Sequence, residues 1–134
     1  MKSYTDIEQS KKLAEILPIE SADMWWLYIT AQGKHIAMMH EEPDPHYLAR
    51  MESYGIKNAA IPCWSLTALL NVLPVSCDDG QHCLSLINHN PNEKTEWLCA
   101  YEDDKGNLMM ECYADNQIDA CVAMIEKLHK QNLL

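Results

Sequence analysis

The sequence predicts an α+β fold: a mainly antiparallel sheet of about five strands with helices packed on one face, in the order α-β-β-α-α-β-β-β-α. Three observations predict it. Segments rich in aromatic, β-branched and alternating apolar residues follow one another across short turns, which is how antiparallel neighbours are joined. Segments with a 3.6-residue apolar period stand at both ends and in the middle. Most strand pairs have no helix between them, which argues against a doubly wound parallel sheet. The 134 residues suit a single globular domain over 1–134.

The first helix is expected over 6–17. Thr5 stands as its N-cap with Glu8 three residues later, a capping-box signature, and Pro18 ends it. Ile7, Leu13, Ala14, Ile16 and Leu17 form the apolar side, which Ser10 interrupts. Residues 24–30 (MWWLYIT) read as a strand. Ala31-Gln32-Gly33-Lys34 makes the turn, and 35–39 returns as a second strand. Asp44-Pro45 opens the next helix, with Asp as cap and Pro at the first helical position. Tyr47, Leu48, Met51 and Tyr54 form its stripe, and Gly55 stops it.

A short buried helix is expected over 62–73, with Leu66, Leu69, Leu70 and Leu73 on one face; Ser65 is an alternative, later cap. Asp78-Asp79-Gly80 reads as an exposed turn. Strands follow over 82–88, 95–101 and 108–113, the last two joined by the turn at 103–107. Trp97, Cys99 and Tyr101 share one face. The final helix begins after Asp115 as cap, with Ile118, Cys121, Val122, Ile125 and Leu128 in one stripe. Asp115 and Asp119 at its start and Lys127, His129 and Lys130 at its end match the helix dipole.

Composition narrows function. Ten Lys and Arg against 20 Asp and Glu give a net charge of −10, and Arg50 is the single arginine. That balance speaks against nucleic-acid binding, which rests on neutralising phosphates. No run of 18 apolar residues exists, so no membrane partner is expected. The start of the chain has no apolar stretch of a secretory leader, so the expected location is the cytoplasm. There the six cysteines stay reduced.

Glycine-rich phosphate loops, G-x-S-x-G, H-E-x-x-H and C-x-x-C are all absent. Three constellations remain. His40, Glu41, Glu42, Asp44 and His46 could hold a divalent metal, although Asp44 already has a capping task. Cys77, Asp78, Asp79, His82 and Cys83 could supply a nucleophile and base, although neighbouring acids disfavour a thiolate. The ligand candidates are therefore His40, Asp44, His46, His82 and Cys83, although no metal or other cofactor is expected. Trp25 and Trp26, consecutive on a strand, point to opposite faces. One is core, and the other needs a helix, a ligand or a partner, so the pair marks an interaction surface.

At Ser21-Ala22-Asp23-Met24-Trp25-Trp26, Ile61-Pro62-Cys63-Trp64-Ser65-Leu66-Thr67-Ala68-Leu69-Leu70 and Asp115-Asn116-Gln117-Ile118-Asp119-Ala120-Cys121, the chain resembles small acidic proteins of gut Bacteroidetes genomes, often encoded in mobile or prophage-like regions. The resemblance covers most of the chain. It implies a bacterial cytosolic protein and carries over no activity and no site residue.

The expected function is that of a small acidic binding or interaction protein without catalysis, drawn to a basic protein partner. The alternatives are a metal-dependent or cysteine-based enzyme, and a structural component of a phage-like or mobile-element assembly. The last would form homo-oligomers.

Overall fold

Asp6, one residue later than the expected Thr5, caps the first helix. In the computed structural model, which describes residues 1–39, 42–89 and 96–134, Asp6 accepts a hydrogen bond from the Gln9 amide at 2.8 Å. The Gln9 side chain accepts one from the Asp6 amide in return at 3.1 Å. The capping box is real but shifted by one. Thr5 is withdrawn from capping because its hydroxyl is engaged with Ser10 and with the Trp64 amide.

The chain divides into two compact units, Tyr4–Ala68 and Leu69–Leu134 with Met1–Ser3. The N-terminal unit holds helix α1 (Ile7–Ile16), strands β1 (Met24–Ile29) and β2 (Lys34–Met38), helix α2 (Pro45–Ser53) and strand β3 (Ala60–Cys63). Helix α3 (Leu66–Val72) contains the division. The C-terminal unit holds β4 (Ser76–Cys77), β5 (His82–His89), β6 (Glu96–Glu102), β7 (Leu108–Ala114) and α4 (Gln117–Lys130).

The α+β class and the antiparallel pairing are as expected, but the strands form two sheets rather than one of about five. The N-terminal sheet has the order β2-β1-β3 and the C-terminal sheet β4-β5-β6-β7. Strands β3 and β4 are additional to those expected. Pro62 reads as a helix start, yet it sits in β3 opposite Trp25. Strand β3 is an edge, where a missing N–H is tolerated. The helix begins later, with the Ser65 hydroxyl accepting from the Ala68 amide at 3.2 Å. Strand β4 has two residues, too few for any period to show.

The N-terminal unit is organised around Thr5, which is 0% exposed. Its N–H donates to the Trp64 carbonyl at 2.9 Å. Its carbonyl accepts from the Trp26 indole at 3.0 Å. Its hydroxyl accepts from the Trp64 amide at 3.1 Å and lies 2.7 Å from the Ser10 hydroxyl. Ser10, the polar break in the α1 stripe, is therefore a buried partner rather than a defect. Trp64 is 0% exposed, and its indole N–H donates to the Ser21 hydroxyl at 3.0 Å.

In the C-terminal unit α4 lies against β6 and β7. Its cap is Asn116 rather than Asp115: the Asn116 side chain accepts from the Asp119 amide at 2.8 Å. Its amide group donates to the Asp119 carboxylate. The predicted stripe, Ile118, Cys121, Val122, Ile125 and Leu128, is buried throughout. Cys121 contacts Cys99 of β6, and Tyr101 on the same face donates to the Pro74 carbonyl at 2.7 Å. Strand β7 is an edge, and the Lys127 ammonium donates to its Glu111 carbonyl at 3.3 Å. A lysine on an edge carbonyl discourages pairing with another strand.

Candidate functional site

The His40–His46 constellation is only partly visible, since His40 and Glu41 lie outside the described residues. Asp44 does the work of a cap, accepting from the His46 amide at 2.9 Å. His46 is exposed on the first turn of α2. Among the described residues no group of three or more His, Cys, Asp or Glu side chains is arranged to hold a metal ion.

The second constellation is brought together in part. Cys77 and His82 are cross-strand partners in the β4–β5 hairpin. Asp78 Oδ2 lies 3.5 Å from His82 Nδ1, a buried nitrogen with no hydrogen-bond partner. Cys83, the next residue along β5, alternates to the opposite face and is exposed. The arrangement has the composition of a Cys–His–Asp relay without its activation. Burial, and then the Asp78 charge, push the Cys77 thiol up, which disfavours the nucleophilic thiolate.

The Cys63 and Cys99 thiols are buried. The hydrogen bond with Cys121, together with burial, pushes the Cys99 thiol up, and burial does the same for Cys63. Titration of the native protein with a thiol-reactive disulfide should therefore label Cys83 first. Cys77 and Cys112, both partly buried, should follow slowly. Cys63, Cys99 and Cys121 should react only on unfolding. Cys77 labelling should accelerate only above the ordinary thiol range, because its thiolate is scarce below it. Labelling of Cys77 ahead of Cys83 at pH 7 would contradict this order and restore the relay as a working site.

Trp25 and Trp26 do not open to solvent as an aromatic patch. Trp25 is 9% exposed. Trp26 is half-buried; its indole is hydrogen-bonded to Thr5, and the Tyr4 ring meets it edge-on at 5.5 Å between centroids.

Two clefts, one in each unit, escaped the sequence reading. In the C-terminal unit the turns 78–81 and 103–107 flank a cleft of about 440 Å³, lined by Gly80, Gln81, Asp103, Asp104, Lys105 and Asn107. Asp103 is occupied within its own turn. Its carboxylate accepts from the Lys105 and Asn107 amides and from the Asn107 side chain. Hydrogen bonds from Asn107 and Lys105 hold its carboxyl below the usual range. Asp78, Asp79 and Asp104 remain exposed. Asp78, Asp79 and Gly80 all have φ between 54° and 87°, which brings the acidic tip of the turn round sharply.

In the N-terminal unit a cleft of about 370 Å³ lies between the end of β1 and α2. Tyr47, Arg50 and Met51 line it from α2 at helical spacing with Tyr54 at the helix C-cap, and Tyr28 and Ile29 line it from β1 with Thr30 just beyond the strand. The α2 stripe is split: Met51 is 3% exposed, whereas Leu48 and Tyr54 are 41% and 62% exposed. The available signal was the one arginine of the chain standing among tyrosines.

Comparison of the chain with family models, with curated proteins and with solved structures gives no match in any of the three.

Proposed function

We propose that this chain is a small acidic binding protein that engages a basic protein partner and performs no chemistry of its own. One observation carries the reading. The two acidic turns at one end of the C-terminal sheet stand side by side about an open cleft, with Asp78, Asp79 and Asp104 exposed. Lys105 is the cation among the residues lining that cleft. The net charge of −10 adds a long-range field that speeds encounter with a cation-rich surface. Six free cysteines accord with a reducing, cytoplasmic setting. Among the described residues no helix is long and apolar enough to cross a membrane.

The test is a pull-down with the wild type and with an Asp78→Asn, Asp79→Asn, Asp104→Asn triple variant across a salt series. Basic proteins should be held at low salt and released as the Debye length falls from about 10 Å at 0.1 M towards about 3 Å at 1 M. The variant should hold them weakly throughout. A complex indifferent to both salt and the variant would overturn the reading.

One observation favours a second reading, a cysteine-based enzyme: the alignment of Cys77, His82 and Asp78 in one hairpin. The thiol titration above separates the two.

A further inference from the structure

We infer that the N-terminal unit carries a small-molecule site of its own, the cleft at Arg50, and that it takes a flat ring bearing a single carboxylate. The inference does not depend on the basic-partner reading. At about 370 Å³ the cleft falls at the lower end of the roughly 300–1,000 Å³ that small-ligand sites occupy.

The anion is assigned by Arg50. The chain has 20 carboxylate side chains and one arginine. Yet among the described residues Arg50 makes no salt bridge and its guanidinium no hydrogen bond. In so acidic a protein a guanidinium with no partner among the described residues, standing beside a cleft, is out of keeping with the surrounding surface. A cation in the last turn of α2 complements the helix dipole, and lysine would serve that purpose equally. The dipole does not account for the tyrosines. A guanidinium presents a planar fork that matches a carboxylate with two parallel hydrogen bonds.

The flat ring is assigned by the walls. The Tyr47 hydroxyl donates to the Tyr28 carbonyl at 2.7 Å and lies 3.3 Å from the Ala59 carbonyl, so its ring is held rigid. Tyr54 stands at the rim, largely in solvent, where its ring is accessible for stacking. Met51 supplies a buried, polarisable floor.

The single charge is assigned by arithmetic. Arg50 is the one cation among the lining residues, and the carbonyl end of α2, where it sits, carries partial negative charge. A dianionic phosphate monoester would therefore be under-neutralised, whereas a carboxylate would be matched.

The experiment is calorimetric titration with 2-naphthoate, beside neutral 2-naphthamide, dianionic 2-naphthyl phosphate and non-planar cyclohexanecarboxylate. Arg50 and Tyr54 are exposed, so R50M, R50K and Y54A should keep the wild-type circular dichroism spectrum. Naphthoate should bind saturably below about 1 mM. R50M should weaken it about tenfold or more, as expected for a charge-assisted pair, with R50K between. Y54A should weaken naphthoate more than cyclohexanecarboxylate. The acidic-turn triple variant should bind naphthoate as the wild type does, which separates failure here from failure of the partner reading. Equal binding of naphthoate and naphthamide, or indifference to R50M, would overturn the anion site. Tighter binding of the phosphate would overturn the charge assignment, and no saturable binding of any probe would overturn the whole.

Discussion

Replacing Trp64 with alanine is expected to destabilise the N-terminal unit by about 3–5 kcal/mol, the range for emptying a large aromatic site in a core. Trp64 is fully buried, and its indole N–H is bonded to the Ser21 hydroxyl. Alanine removes the ring, opens a cavity and takes away that donor. Trp64→Phe should recover most of the loss, because it restores ring volume and forgoes one neutral hydrogen bond, worth about 1 kcal/mol. Urea unfolding followed by near-ultraviolet circular dichroism measures both. A midpoint shift for Trp64→Ala no larger than that for Trp64→Phe would mean that the ring is not packed as described.

Thr5→Val is nearly isosteric, yet it should cost about 2–4 kcal/mol, because two buried polar groups lose a partner at about 1–3 kcal/mol each. The Trp64 amide loses the hydroxyl that accepts from it, and the Ser10 hydroxyl loses its neighbour at 2.7 Å. Thr5→Ser keeps the hydroxyl and sheds one methyl, at about 0.8 kcal/mol or a little more. The expected order of stability is therefore wild type, then Ser, then Val, the reverse of a ranking by apolar content. If Val proves more stable than Ser, packing rather than the hydrogen-bond network governs this position.

Where the physics is local, the sequence was readable. The α4 stripe could be read because residues spaced at three and four share a helix face, and all five named positions are buried. The shared face of Cys99 and Tyr101 followed from the two-residue period of a strand. Caps were readable to within a residue, since Asp6 and Asn116 stand beside the expected Thr5 and Asp115. The choice between such neighbours rests on what else each side chain bonds. Thr5 is held by Trp64, which is 59 residues away along the chain.

The candidate sites were less legible. Asp44 was expected to cap and does. The raised Cys77 thiol followed from its acidic neighbour, although burial proves the larger cause. The Arg50 cleft needed the end of β1 and the side of α2 that carries Tyr47, Arg50 and Met51 together, and nothing in either segment announces the other. The consecutive tryptophans suggested an open surface because alternation puts one on each face. Tyr4 and the Thr5 carbonyl, brought in from before α1, engage Trp26.

By itself, then, the sequence determined the α+β class, the antiparallel hairpins, the register of α4 and the acidic character, all of which depend on composition or on periods within a few residues. Only the tertiary structure decided that β3 pairs with β1 and β4 with β5, and that the strands divide into two sheets. Only it decided that Thr5 is a buried hub and that the sole arginine faces a tyrosine-lined cleft. Pairing partners, buried polar networks and clefts join residues tens of positions apart. Their energies belong to the pair, and no periodicity in either segment records them.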